Sequence, residues 1–192
     1  MTESNSQKKK ILRLEASKIT HALSAEYKKE ASEKITAVLL STQEYNKAKS
    51  IFVYTSTKNE PDTSFFIKTA LSDQKEVFVP KCIKKGIMVP VKITENTVFE
   101  EGFMGISEPA RYDESIFLSQ IDLSVIPCVG AATSGKRLGH GGGFYDIFLN
   151  NTKTEKICLC FEALLFEDIP TDSHDILMDA VITENGFYKN IN

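Results

Sequence analysis

The first quarter of the chain has apolar residues at a helical spacing. Over residues 7–23 they recur every three to four positions, which places them on one face of an amphipathic helix. Ser24 can cap a second helix, whose apolar stripe runs over residues 27–39. The other faces of both helices are rich in lysine. We therefore expect a helical hairpin packed at the edge of the main core.

Short apolar runs dominate the rest of the chain and predict strands at residues 50–54, 76–80, 87–91, 123–129, 156–161 and 180–183. Such runs are typical of strands covered on both faces. Helices are predicted at residues 62–71, with Asp62 as the cap, and at residues 144–149, whereas residues 99–113 are expected to be irregular. Strands that alternate with helices predict a mostly parallel sheet with helices on both faces.

Composition narrows the class of protein. The 192 residues are 42% apolar and 26% charged, so the chain is globular and is predicted to form a single domain, residues 1–192. A net charge of −3 argues against nucleic acid as the partner. The amino terminus lacks the apolar core of a signal peptide, and no apolar run is long enough for a membrane helix. We expect a cytoplasmic protein with no membrane partner.

The four cysteines, Cys82, Cys128, Cys158 and Cys160, include no Cys-x-x-Cys pair, and the histidines are scattered, so a zinc site is not indicated. Cys158 and Cys160 lie on the same face of a predicted buried strand. We interpret them as small core residues, with a redox pair as the alternative.

The glycine-rich loop, residues 130–143, carries the strongest functional signal. Half of the chain's ten glycines fall between Gly135 and Gly143, after a buried strand and before a helix. Ligands bind beyond the carboxyl ends of strands in such sheets, and glycines together with Lys136 and Arg137 suit a phosphate. A flexible surface loop is the alternative.

Known phosphate fingerprints fit this loop poorly. Residues 130–136 read G-x-x-x-x-G-K, but Arg137 stands where a P-loop needs a hydroxyl for Mg²⁺. A dinucleotide pattern fails because Phe144 replaces its last small residue. A P-loop-type small-molecule kinase and a non-enzymatic sensor of phosphate ligands remain open as alternatives.

Charged residues elsewhere could complete a nucleotide site. Asp146, in the first turn of the helix after the loop, and Asp175, in a later loop, could ligate Mg²⁺ if they meet. Lys9 and Arg13 share a helix face and could clamp a polyphosphate. Each also has a simpler interpretation, as a helix-terminal charge, a turn residue or a solvated face, and the sequence does not bring the first helix to the loop.

A composite pattern runs through nearly the whole chain. Its elements are Lys9-x-x-x-Arg13, Tyr54, Glu60-Pro61-Asp62-Thr63, Val79-Pro80, Gly105-Ile106-x-Glu108-Pro109, Ile126-Pro127, Gly135-x-Arg137-Leu138-Gly139-x-Gly141-Gly142-Gly143-x-Tyr145-Asp146, His174-Asp175 and Asp179-x-Val181-Ile182-Thr183. This pattern resembles the 5-formyltetrahydrofolate cyclo-ligase (5,10-methenyltetrahydrofolate synthetase) family. The resemblance implies a three-layer α/β/α Rossmann-like domain with an amino-terminal helical hairpin.

The resemblance also implies an activity. Members of the family use ATP and Mg²⁺ to convert 5-formyltetrahydrofolate to 5,10-methenyltetrahydrofolate, with release of ADP and phosphate. The formyl oxygen takes the γ-phosphoryl group, and N10 of the folate then attacks that carbon as phosphate leaves. Phosphoryl transfer depends mainly on positioning and charge neutralisation, which agrees with a cationic glycine-rich loop.

By the same resemblance, Arg137 and Lys9 would be catalytic. The nucleotide would be held by Lys9, Arg13, Arg137, Leu138, Gly139, His140, Gly141, Gly142, Gly143, Phe144 and Tyr145, and Mg²⁺ by Asp146 and Asp175. The substrate, with or without a polyglutamate chain, would contact Glu60, Phe144, Tyr145 and Met104. The chain would act as a monomer or weak dimer.

Three positions depart from the family's pattern or vary within it. Phe144 stands where many members have Tyr, Met104 where some have an aromatic residue that covers the folate, and His140 at a variable position. None of the three removes a charge that the chemistry needs.

Overall fold

A computed structural model of the chain describes residues 4–102, 105–111 and 121–190. Its helices are α1 (Asn5–Ala22), α2 (Ala25–Ser41), α3 (Gln43–Lys47), α4 (Ser64–Ser72) and α5 (Phe144–Asn150). Its strands are β1 (Ser50–Val53), β2 (Glu76–Lys84), β3 (Ile87–Ile93), β4 (Phe99–Glu101), β5 (Ser107–Pro109), β6 (Leu123–Pro127), β7 (Gly130–Ala131), β8 (Arg137–Leu138), β9 (Glu155–Leu159), β10 (Ala180–Thr183) and β11 (Gly186–Lys189).

The central sheet has seven strands in the order β11-β10-β9-β6-β1-β2-β3. The five inner strands are parallel to one another, and the edge strands β3 and β11 are antiparallel to their neighbours. All residues of β1, β6 and β10 are buried, as their continuous apolar runs predict. The expectation of a mostly parallel sheet is confirmed.

Helices cover both faces of the sheet. The β1–α4–β2 and β6–α5–β9 crossovers run in opposite directions along the strand order, and right-handed crossovers then place α4 and α5 on opposite faces. Phe52 of β1 packs against Phe148 of α5, with ring centroids 4.4 Å apart. On the other side α2 contacts β10 and α4. The three-layer prediction is confirmed.

The two predicted amino-terminal helices are also confirmed, as α1 and α2. Ser24 caps α2, because its side chain accepts a hydrogen bond from the backbone N–H of Tyr27. Helix α2 buries Ala31, Ile35 and Leu39, the stripe that its spacing predicts. Helix α1 contacts the 3₁₀ turn Glu162–Leu164 that follows β9.

Several local predictions were wrong. Within residues 99–113, β4 and β5 form an antiparallel ladder whose glutamates hide any apolar alternation. The predicted cap Asp62 does not occupy the cap position of α4, which is Thr63. The Asp62 carboxylate instead accepts hydrogen bonds from the backbone N–H and hydroxyl of Ser64. Helix α3 and strand β11 were not predicted, since each is short.

The core confirms the interpretation of the cysteines. Cys128, Cys158 and Cys160 are buried free thiols, and Cys82 is half-buried. Cys158 and Cys160 pack in the main cluster with residues of β1, β6 and β10. Within the described ranges, no helix has both the length and the apolar character needed to cross a bilayer.

Candidate active site

The candidate site lies where the connections from the centre of the sheet diverge. After β1 the chain crosses towards β2, and after β6 it crosses the other way, towards β9. The carboxyl ends of β1 and β6 therefore border a crevice at a topological switch point, the usual ligand site in open α/β sheets. The segment with Glu60 leaves β1 at this edge, and the glycine-rich loop leaves β6.

The first half of the glycine-rich loop folds as a small hairpin. Strands β7 and β8 pair in antiparallel fashion, and Gly135 takes φ +83° at the turn. A Cβ at this glycine would lie 2.4 Å from the carbonyl oxygen of Met178, so a side chain does not fit. Lys136 forms an ion pair with Asp168 at 2.6 Å on the outer surface. Because a strand and not a helix follows Lys136, the geometry differs from that of a P-loop.

Arg137 of β8 is the buried cation of the loop, with 4% of its side chain exposed. Its Nη2 donates to both carboxylate oxygens of Asp146, at 3.0 and 3.1 Å, and its Nη1 donates to the carbonyl oxygen of Pro127. Among the described residues, none accepts a hydrogen bond from Nε. A buried donor without an acceptor is costly, and an anionic ligand would satisfy it.

Helix α1 brings one polar face to the site. Asn5 donates to the Thr171 carbonyl and the Asp172 carboxylate, and Arg13 Nε donates to the carbonyl oxygen of Gly139 at 2.7 Å. Between them, Lys9 is bound by two carboxylates. Of the two predicted clamp residues, Arg13 therefore reaches the glycine-rich loop, whereas Lys9 contacts the loop of residues 172–175.

Lys9 is a buried ammonium held by Asp172 at 2.8 Å and Asp175 at 2.5 Å. Burial acts to lower the Lys9 pKa, but the hydrogen bonds that the ammonium donates to the two carboxylates outweigh it and hold that pKa above its ordinary value. The Lys9 ammonium and the Asn5 amide in turn lower the pKa of Asp172. Lys9 therefore carries a fixed positive charge at neutral pH.

The two carboxylates expected to hold Mg²⁺ lie on neighbouring segments. Asp175 belongs to a cluster with Asp172 and His174, whose ligand atoms lie within 4.8 Å of one another. Asp146 is outside that cluster but accepts a hydrogen bond from the backbone N–H of Ile176 at 3.3 Å. Oxygen ligands of this kind suit Mg²⁺. Both carboxylates contact protein cations, and their metal roles stay a prediction.

The second half of the glycine-rich loop presents backbone next to Arg13. Gly141 takes φ +94° and Gly143 takes φ +69°, conformations that residues with a side chain rarely adopt. A Cβ on Gly141 would lie 3.5 Å from the guanidinium carbon of Arg13. Leu138 is buried against Ala132 and Ile169 and its carbonyl oxygen accepts a hydrogen bond from the backbone N–H of Val129, so its role in nucleotide binding stays a prediction.

Glu60 is a buried carboxylate at the opposite wall, with 7% of its side chain exposed. One oxygen accepts hydrogen bonds from the backbone N–H and hydroxyl of Thr57, both at 2.9 Å, and the other faces Nε2 of His140 at 3.3 Å. A cavity of about 670 Å³ begins beside Glu60, a volume suited to a small molecule. Its other lining residues include Lys28, Lys29, Lys58 and Phe65.

The two aromatic residues expected at the site, Phe144 and Tyr145, lie in the first turn of α5 and are both half-buried. Tyr145 is half-buried, with its ring 5.7 Å from the Arg137 guanidinium and 6.4 Å from the ring of Phe52. Its burial and the nearby Glu60 carboxylate raise the Tyr145 pKa, so the phenol stays protonated. Phe144 is half-buried at the start of α5. The predicted substrate contact Met104 lies outside the described residues.

Two site residues escaped prediction. Asn5 lies on the polar face of α1, and Asp172 accepts hydrogen bonds from that face. The sequence analysis singled out neither residue. Asn5 stands four positions before Lys9 and eight before Arg13. This spacing places all three side chains on one helix face and could have been used to predict that Asn5 belongs to the site. Asp172 lies three residues before Asp175, but an acidic residue in a loop carries no such spacing signal.

Three cationic side chains lie beside a glycine-rich loop at the switch point of this α/β protein, an arrangement that suits a polyanionic ligand. The model of the 5-formyltetrahydrofolate cyclo-ligase family matches residues 5–184. The chain belongs to this family of enzymes.

Individual relatives agree with this assignment. The chain is 29% identical to the 5-formyltetrahydrofolate cyclo-ligase of Haemophilus influenzae, covering 93% of this chain and 99% of the relative. It is 28% identical to the mouse cyclo-ligase, covering 93% and 94%. The solved structure of Aquifex aeolicus 5,10-methenyltetrahydrofolate synthetase superposes with a TM-score of 0.85 at 28% identity, over 96% of this chain and 93% of that one.

Family and relatives together indicate the conversion of 5-formyltetrahydrofolate to 5,10-methenyltetrahydrofolate.

Proposed function

We propose that this chain performs that conversion at the switch-point site with ATP and Mg²⁺, releasing ADP and phosphate. Phosphorylation of the formyl oxygen and ring closure by N10 would follow the chemistry that the family resemblance implies. Bound Mg²⁺–ATP would supply the phosphoryl group that turns the formyl oxygen, a poor leaving group, into a good one. The remaining work falls to the protein's side chains, which bind, orient and neutralise charge.

One observation carries the proposal: the glycine-rich loop and the neighbouring loop of residues 172–176 hold three cations through hydrogen bonds and ion pairs. Arg137 binds Asp146, Asp146 accepts from the backbone of Ile176, and the adjacent Asp175 binds Lys9. Arg13 binds the loop at Gly139. Positive charge held in place before the ligand arrives is what phosphoryl transfer requires. The Nε of Arg137, for which the described part of the chain offers no acceptor, supports an anion at this point.

The residues fit distinct roles in this reaction. Lys9, Arg13 and Arg137 would bind the phosphates, with Lys9 and Arg137 also neutralising the charge that develops during transfer. The backbone of residues 138–143 would wrap the nucleotide, and His140 belongs to that segment. Asp146 and Asp175 would ligate Mg²⁺ once it competes with their present cationic partners.

The folate half of the site would be built around Glu60. A buried carboxylate can accept hydrogen bonds from the N–H groups on the edge of a pterin, and Phe144 and Tyr145 offer aromatic faces to its ring. Met104 would add apolar contact. The adjoining cavity, where Lys28, Lys29 and Lys58 alternate with Glu33 and Asp62, would receive the glutamate end of the substrate. We propose a cytoplasmic enzyme that works as a monomer or weak dimer.

A spectroscopic assay tests the proposal. The purified protein is mixed with 5-formyltetrahydrofolate, ATP and Mg²⁺, and the near-ultraviolet band of the conjugated methenyl product is followed. We expect the band to grow only when all three are present, and chelation of the metal to stop it. No ATP-dependent growth at any substrate concentration would falsify the proposal. Transfer to another small-molecule acceptor without a response to folate would favour a kinase instead.

A further inference from the structure

Two neighbouring residues of the glycine-rich loop contact opposite halves of the site. The carbonyl oxygen of Gly139 accepts a hydrogen bond from Arg13 Nε at 2.7 Å, which ties this point of the loop to the cationic face of α1. The next residue, His140, directs Nε2 to the Glu60 carboxylate at 3.3 Å. One peptide unit therefore separates a contact to the proposed nucleotide half from a contact to the proposed folate half.

The two partners of the second contact differ sharply in exposure. Glu60 is buried, whereas 61% of the His140 side chain is exposed. One Glu60 oxygen is held within its own segment by Thr57, and the other is bound from across the crevice by His140. The oxygen that faces the crevice is therefore positioned by the glycine-rich loop.

We propose that His140 is a positioning residue that couples nucleotide binding to folate binding through Glu60. The inference rests on the proposed function and deepens it. When phosphates bind the cations and the backbone around Gly139, the loop position sets where His140 holds Glu60. The carboxylate that receives the folate ring is then oriented by the state of the nucleotide half.

Thermodynamic linkage gives this coupling a measurable form. If nucleotide changes the affinity for folate by some factor, folate must change the affinity for nucleotide by the same factor. A single hydrogen bond contributes on the order of 1 kcal/mol, so its loss is expected to change the coupling factor about five-fold. The His140 side chain is largely exposed, so its substitution should leave the fold intact.

Calorimetry measures the factor directly. The dissociation constant for 5-formyltetrahydrofolate is determined with and without a non-hydrolysable ATP analogue and Mg²⁺. We expect the ratio of the two constants to move towards one in His140→Ala. In His140→Gln, whose amide N–H can still donate to Glu60, we expect part of the ratio to be kept. His21→Gln is the matched control, because His21 lies on the exposed side of α1 and should retain the wild-type ratio.

The result that overturns the inference is a His140→Ala variant with the wild-type ratio, or a wild-type protein that binds folate equally with and without the analogue. A ratio lost equally in His21→Gln also overturns it. A wild-type protein that binds no folate at all contradicts the proposed function itself, and the inference falls with it. Folate binding in the wild type therefore separates the two failures.

Discussion

Lys136 and Arg137 are adjacent cations with opposite environments. Side chains alternate across a strand, so Lys136, at the entry to β8, reaches Asp168 at the surface while Arg137 enters the core edge. The sequence predicted a cationic loop but not which charge is buried. The family resemblance selected Arg137. The physical reason is that this side chain is buried and that its Nε finds no acceptor among the residues that the structure describes.

Because Arg137 is buried and Lys136 lies at the surface, we expect their substitution by alanine to have different effects on catalysis. Arg137→Ala removes the buried charge next to the proposed phosphates, and we expect kcat to fall on the order of 10²–10³-fold, the usual loss for one preorganised donor to a developing anion. Lys136→Ala removes an exposed ion pair and should leave kcat within about two-fold, since such pairs contribute little. Steady-state kinetics with 5-formyltetrahydrofolate checks both. Equal losses in the two variants would remove Arg137 from its assigned role.

The helices and strands were predicted correctly where the periodic pattern of apolar residues extends over a long segment. Helices α1 and α2 and the inner strands of the sheet were predicted because their periodicity comes from burial of one face or both. The β4–β5 hairpin was missed because its residues include Glu100, Glu101 and Glu108, which carry no apolar alternation. Helix α3 and strand β11 were missed because four or five residues give no readable period.

The docking of α1 was beyond the sequence for a different reason. Lys9 and Arg13 could be placed on one helix face, but the partners of that face come from residues 139 and 171–175. A contact between segments so far apart has no local signal. The docking of α1 depends on the ion pairs of Lys9 with Asp172 and Asp175, so the stability of this docking should depend on pH.

Asp172 links the docking of α1 to pH. Its pKa in the folded protein is lowered by Lys9 and Asn5, so its contribution is present above the unfolded value of about 3.9 and is lost as the pH falls through the lowered pKa. We expect amide exchange of α1, corrected for intrinsic rates, to be constant from about pH 7 to pH 5 and faster below about pH 4.

The control for this prediction is internal. Strand β6 is fully buried and its exchange should not change over the same range. In Asp172→Asn, α1 should exchange faster than in the wild type at neutral pH and show a weaker acid dependence. Identical α1 protection in the two proteins at every pH would contradict the assigned role of Asp172.

At the scale of the whole molecule, the site is assembled from segments that follow different strands. Glu60 follows β1, Arg137 follows β6, Asp175 follows β9, and Lys9 comes from the amino-terminal helix. A parallel sheet brings the carboxyl ends of its strands to one edge, so the predicted fold class already predicted that the first three could meet. The orientation of the carboxylates towards protein cations depends on side-chain packing and has no signal in the sequence.

Burial in the core should make the cysteine thiols unreactive in the native protein. Burial raises the pKa of the Cys158 thiol, and burial together with the Glu108 carboxylate raises the pKa of Cys82 to about 12. Thiolate is the reactive form, so we expect no rapid reaction with a disulfide reagent at pH 8 in the native protein. All four cysteines should react after unfolding. In Cys82→Ser any residual native reaction should disappear, and fast native labelling of that variant would contradict the buried core thiols.

The central claim is that one site couples use of the nucleotide to closure of the folate ring. The most direct test measures ADP, inorganic phosphate and the methenyl product in the same reaction. We predict one ADP and one phosphate for each methenyl group formed, and negligible ADP when 5-formyltetrahydrofolate is omitted. Methenyl product formed without ADP, or ADP formed at the same rate without folate, would contradict the account.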